Sequence, residues 1–307
     1  MSSRRQEDPK TRIRITACDS WDDFITELRI GEGRHVGGHI YRGHGDATWR
    51  LSSVFERWLV RQKGGNPERN LGELFGEGGL EKFRTMYLKP FQHSAYRLHD
   101  VQLPPKESIN TWLALGRHHG LITPLLDWTR SPFIAAFFAS IDAFKLKADD
   151  ERLSVAARHG KGAAKSYGPS FENSVTGMGG GIVYPHEPFV IWALSCADEI
   201  FVKGEFQIVD EQEYSNARLH AQQGLFTYLT HDVHVDLENY LASRGLGHRL
   251  EKFVIPGQEA GKAIHDLELM GINYASLFPD LDGIAKQANM GNFWWYQKKG
   301  RDKKDNE

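Results

Sequence analysis

Cysteine is scarce: Cys18 and Cys196 are the two in a chain of 307 residues. They stand far apart and form no C-x-x-C, so a disulfide framework is excluded and a clustered thiolate site is not on offer. No apolar run approaches the ~20 residues that cross a bilayer. The opening MSSRRQEDPKTR lacks the apolar stretch of a secretory signal, and the expectation is a cytoplasmic protein with no membrane partner. An excess of one charge is missing too. Lys and Arg number 38 against 40 Asp and Glu, a formal net charge of −2, so no global field draws the chain to nucleic acid. A local basic face stays open, because net charge hides asymmetry. No internal repeat is visible.

What is present suffices for a core: hydrophobic residues make up 40% and charged residues 25%, near the average of folded domains. Residues 1–11 read as a short, charged, disordered tail. Ile13 and Ile15 alternate as in a strand, and Asp19 or Ser20 then caps a helix that carries Trp21, Phe24, Ile25 and Leu28 on one face. "HIYRG" reads as a short strand and "WRLSSVFERWLVRQ" as a strand end entering a helix. Further helices are expected at roughly 78–99 and 106–118. Gly120 and Pro124 make the segment between them a loop. Pro132 suits a first helical position and Ser131 its N-cap. The helix from there to about Lys145 is apolar nearly all round, which places it in the middle of the fold.

Residues 146–181 are rich in Gly, Ser, Ala and charge and read as a surface insertion. Strands then dominate, in "GIVYPHEPFVIWALSC", "LFTYLT" and "LEKFVIP". A helix over "GKAIHDLELMGI" ends at Gly271, and a turn and a last helix follow. Helices first and strands later, with few βαβ alternations, predict an α+β fold: a helical N-terminal half packed on a mostly antiparallel sheet.

Tyr41-Arg42-Gly43 followed by Trp49-Arg50-Leu51 resembles the defining motif of the bacterial FRG domain, named for a Phe/Tyr-Arg-Gly triplet. "LALGRHHGLITPLLDWTRSPFIAAFFA" (Leu113–Ala139) resembles that family's central motif. "RLHAQQGLFTYL" (Arg218–Leu229) and "GINYASLFPDLDGIA" (Gly271–Ala285) are similar to its later ones. Four motifs in the family's order imply an FRG domain over 12–290, with 291–307 as a tail. Two positions depart from the pattern. Arg117 stands where the family usually has Gln, and Pro124 where it usually has Arg; Arg130, six residues on, is a candidate substitute. The resemblance brings no settled activity, so function rests on the residues.

An arginine after a short strand and beside a glycine can present its planar fork to a phosphate or carboxylate. Gly43 and Gly45 allow a ligand to approach the backbone closely. The alternative for Arg42 is a structural ion pair. The Tyr-Arg-Gly context also loosely resembles the first motif of ADP-ribosyltransferases, and this implies that Tyr41, Arg42 and Gly43 meet a dinucleotide, with Thr129 and Ser131 standing for the second motif. His119 and Asp127 are candidates for a hydrogen-bonded pair, and Trp128 for a face on which a base stacks. Asp127 as a turn cap and Trp128 as core are the plainer readings. A transferase also needs an acid to stabilise positive charge developing at the ribose. Glu213, from the E-x-E of Glu211 and Glu213, and Gln223, from the family's AQQG, are the candidates. Two histidines without H-x-x-x-H or neighbouring cysteines make a poor zinc pattern. Asp280 and Asp282 read first as a helix cap and second as cation ligands.

Two functions stay open. One is an NAD-using, ADP-ribosyltransferase-like or NAD glycohydrolase enzyme, acting as an intracellular toxin or anti-phage effector on a protein or nucleic-acid acceptor, with a neutralising or sensing partner. The other is a non-catalytic nucleotide or nucleic-acid binding module. The enzyme requires Arg42, Asp127 or His119, and one of Glu213 or Gln223 to converge on one pocket.

Overall fold

The structure is a computed structural model and describes residues 3–30, 38–62, 82, 84–99, 101–144, 187–196, 206–210, 217–229 and 236–290. Eight strands form one sheet: β1 (Arg4–Glu7), β2 (Arg14–Ala17), β3 (His39–His44), β4 (Leu125–Thr129), β5 (Phe189–Ser195), β6 (Phe206–Val209), β7 (Gly224–Leu229) and β8 (Leu250–Ile255). Their order is β1-β2-β8-β5-β3-β4-β7-β6. Every neighbouring pair is antiparallel except β2 with β8. The fold is α+β, as the run of elements predicts.

β5 shows why its sequence runs apolar without alternation. It sits mid-sheet and is covered on both faces. Phe189, Ile191 and Ala193 enter one core, beneath the helices Trp21–Ile30, 132–144 and Ala260–Leu269. Val190, Trp192 and Leu194 enter the other, with Leu51, Tyr240 and Leu241. A third cluster joins Trp112 and Leu113 of the helix Ile109–His118 to Leu125, Phe226 and Tyr228 of β4 and β7.

The 132–144 helix is central, as its all-round apolar surface requires. Ser131 caps it by accepting from the Ile134 amide at 3.3 Å, and Ala135, Ala136 and Ala139 are fully buried. It lies so close to β3 that a Cβ on Gly43 would stand 1.9 Å from the Ala135 carbonyl oxygen. The close approach that Gly43 permits is therefore that of a helix. Gly45 does the same job, with a Cβ 2.4 Å from the Ala143 amide nitrogen. Gly271, at a φ of 77°, follows the helix Ala260–Leu269.

Several expectations are corrected. Arg4–Glu7 is a strand where a disordered tail over 1–11 is expected. Its side chains are exposed, but its backbone groups pair with β2, and ladder bonds do not depend on side-chain polarity. The loop expected between His119 and Asp127 is present over 120–124, but Asp127 is no turn cap and lies within β4. Pro124 stands just before the first residue of β4, where its missing N–H costs the ladder nothing. Trp49–Ser53 carries no strand end; Ser53 and Glu56 instead form a capping box, with Glu56 N to Ser53 Oγ at 3.1 Å and Ser53 N to Glu56 Oε2 at 2.6 Å. The 146–181 insertion and the 291–307 tail lie outside the described residues.

Candidate functional site

β3 and β4 share one residue pair, Tyr41 with Thr129, whereas β3 pairs with β5 along its whole length. The next residue on β3 is Arg42. Its Nη1 donates to the Asp127 carbonyl oxygen at 2.6 Å and its Nε to His44 Nε2 at 2.9 Å. A guanidinium thus continues a ladder that the backbones have abandoned. The side chain is 17% exposed. Burial lowers its pKa, and Asp127 works against that. Burial and the nearby Arg42 charge push His44 down to about 3, so its ring is neutral and free to accept at Nε2.

Arg117, in the last turn of the Ile109–His118 helix, grips the Asp127 carboxylate with two bonds: Nε to Oδ1 at 3.1 Å and Nη2 to Oδ2 at 2.8 Å. Such a fork-to-carboxylate pair fixes both partners in one geometry. Arg42 Nη1 lies 3.5 Å from the same Oδ2. Burial pushes the Asp127 carboxyl up, but Arg117 and Arg42 outweigh it and hold it below the usual carboxylate range. Arg57 adds a third positive charge, repelled by Arg117 and attracted to Asp127. Its neighbour Glu56 is raised by burial to about 7 and is only partly ionised near neutral pH. Two guanidiniums therefore hold one ionised carboxylate, and the charge of Arg57 acts nearby.

That carboxylate is 41% exposed and lines a cleft of about 260 Å³ between the Ile109–His118 helix, β4, β7 and the short helix Ala217–Ala221. Arg117, His118 and Arg218 supply its cationic and imidazole groups; Leu115, Leu219, Phe226 and Phe278 supply apolar wall. Arg218 reaches Asp280 through its Nε, lies 3.6 Å from Asp282, and has its guanidinium 5.6 Å from the centre of the Phe278 ring. Asp280 also caps the 281–290 helix, accepting from the Gly283 amide at 3.0 Å. Burial, then His119 and Arg218, push His118 below its ordinary value.

Of the residues singled out in the sequence, Arg42 and Asp127 come together. His119 does not pair with Asp127: it is the exposed C-cap of its helix, and Arg117 holds the carboxylate. Gln223 is exposed at a φ of 47°, and its carbonyl accepts from the Arg130 amide; Gln222 is the glutamine that lines the cleft, its amide donating to the Leu277 carbonyl at 3.1 Å. Tyr41 is 1% exposed in the core under the 132–144 helix. Trp128 borders the cleft but is 4% exposed, with its Nε1 donating to Thr227 Oγ1 at 2.9 Å, which leaves no open face for a base. Thr129 serves the turn, donating to the Gln222 carbonyl at 2.7 Å and accepting from the Ser131 amide at 3.1 Å. Arg130 pairs with Asp210 and lies outside the cleft lining. Glu211 and Glu213 lie outside the described residues. Sequence reasoning missed Arg117, Arg57 and Arg218 as site groups. Arg117 alone carried a signal, as a departure from the family's glutamine.

Among the described residues no helix is long and apolar enough to cross a membrane. No curated protein and no solved structure matches the chain. The family model of the FRG domain matches residues 38–148. That span holds β3 with Arg42, the helix that bears Arg117 and β4 with Asp127, while Arg218 and Asp280 lie beyond it. The Arg42–Asp127–Arg117 constellation is thus built within the stretch that matches the FRG domain.

Proposed function

We propose that the chain binds a nucleotide in the cleft between the Ile109–His118 helix and strands β4 and β7. One observation carries this reading: an ionised carboxylate clamped by two arginines shares an apolar-walled cleft with Arg218 and His118. A few fixed polar groups set in an apolar wall are the usual make-up of a small-molecule site. Phe278 and Leu115 suit the flat face of a base, and the Arg218 N–H groups beyond the one that Asp280 takes suit phosphate. At about 260 Å³, the cleft falls just below the range of about 300–1,000 Å³ typical of ligand pockets. That favours a mononucleotide, or one half of a dinucleotide. Calorimetric titration of the intact chain with ADP and with NAD tests this. Saturable binding that weakens in Arg218→Ala supports the cleft, and no binding of either ligand overturns it.

Glycosyl transfer from NAD is the second reading, favoured by the state of Asp127. A carboxylate held ionised and in place is the group that stabilises an oxocarbenium-like centre as nicotinamide leaves. Asp127 then takes the part first assigned to Glu213 or Gln223. Nicotinamide release from NAD that stops in Asp127→Asn supports this chemistry; no release, with ADP still bound, leaves binding alone.

A further inference from the structure

We infer that Asp127 accepts a ribose hydroxyl, so that the cleft selects ribonucleotides over ligands that lack the ribose hydroxyls. The inference rests on the nucleotide reading and names the part of the ligand that carries specificity.

A carboxylate offers roughly two acceptor sites on each oxygen. Oδ1 takes Arg117 Nε, and Oδ2 takes Arg117 Nη2 with Arg42 Nη1 at 3.5 Å. The carboxylate still stands 41% exposed at the cleft, so capacity remains for further donors. Both oxygens are held in one orientation by the Arg117 fork, which takes the edge that faces both of them, so the acceptor sites left open point apart and each suits a single hydroxyl.

Charge then narrows the donor. A cationic donor meets the positive field of Arg42, Arg57 and Arg117. An anion in contact with Asp127 meets its negative charge at hydrogen-bond range, where repulsion is strongest. A neutral hydroxyl suffers neither. It also gains a charge-assisted bond without ordering the protein, because the arginines have already fixed the carboxylate. Arg218, on another part of the lining, keeps N–H groups beyond the one that Asp280 takes, and these are left for phosphate.

The test is a calorimetric titration of the intact wild-type chain with ADP and with 2′,3′-dideoxy-ADP, repeated on Asp127→Asn. A charge-assisted hydrogen bond contributes enough that the dideoxy ligand is expected to bind roughly ten- to a hundredfold more weakly to the wild type. In Asp127→Asn that ratio is expected to fall towards one. Equal affinities in the wild type overturn the inference and leave the nucleotide reading standing. Discrimination that persists unchanged in a folded Asp127→Asn overturns the assignment to Asp127. Absence of ADP binding to the wild type overturns the nucleotide reading and this inference with it.

Discussion

Arg42 Nη1 lies 2.6 Å from the carbonyl oxygen of Asp127, joining β3 to β4 where their backbone ladder has stopped. The two readings of Arg42 available from sequence, ligand anchor and structural tie, merge here. The residue ties two strands and supports the carboxylate of the candidate site.

Arg42→Ala removes that tie and leaves a strand carbonyl without its donor. Loss of a buried, charged hydrogen-bonding group is expected to lower stability by about 2–4 kcal/mol. Lysine keeps the charge but not the fork, and recovers only part of the loss. Urea unfolding measures both. An Arg42→Ala protein of native stability would show that the tie is idle.

The Arg117–Asp127 pair is half-exposed, so its coupling is expected to be modest. A double-mutant cycle with Arg117→Ala and Asp127→Asn should give about 1–2 kcal/mol. The sign of its pH dependence follows from the depressed carboxyl. Stability from the pair is present above the ordinary carboxylate range and is lost as pH falls through the lower folded value. The stability gap between wild type and Asp127→Asn therefore narrows in acid.

Glu238 behaves in the opposite sense. Burial raises its carboxyl to about 7, although Oε2 accepts the Leu51 amide at 2.9 Å. The fold favours the protonated form, so stability is complete below the ordinary Glu value and falls as pH rises through about 7. Glu238→Gln keeps the acceptor without the charge. It is expected to match the wild type near pH 4 and to exceed it at pH 8 by about 1–3 kcal/mol. Thermal melts at the two pH values decide this; a gap that does not change with pH contradicts it.

Gly43→Ala sets a methyl group 1.9 Å from the Ala135 carbonyl oxygen, with backbone on both sides of the clash. Separation of β3 from the 132–144 helix is expected to cost about 3 kcal/mol or more. Gly38→Ala, with nothing within 4 Å of the added carbon, is the control and is expected to stay within about 0.5 kcal/mol of wild type.

The cleft divides neighbouring residues by role. Arg218→Ala is expected to weaken ADP binding about tenfold, the effect of losing one charge-assisted contact. His119→Ala and Gln223→Asn should leave it unchanged; asparagine is chosen because the φ of Gln223 is 47°. Titration of the three variants checks this, and loss of binding in either control would move the site away from the cleft.

Much of the fold was legible because its signals are local. Ser20 and Ser131 cap their helices by accepting amides three residues on, and Gly271 follows the end of its own helix. The unbroken apolar run of β5 and the all-round apolar 132–144 helix announced burial on every side. The part that misled was polar. Asp127 is a polar residue inside a short strand that follows a proline, and it reads as a turn cap until β7 supplies its ladder.

Sequence alone determined the strands β2, β3, β5, β7 and β8, the helices that follow Ser20 and Ser131, the α+β class and the resemblance to the FRG domain. Periodicity, caps and turn residues act over a few positions, and they leave their mark there. Only the tertiary structure decided the site. Arg42 and Asp127 are 85 residues apart, and Arg117 reaches Asp127 from a helix to a strand ten residues on. One step along a helix turns a side chain by about 100°, so the choice of His118 over His119 at the cleft depends on how that helix is rotated on the sheet. Packing sets that rotation, through Trp112 and Leu113 against β4 and β7, and no neighbour in the sequence records it.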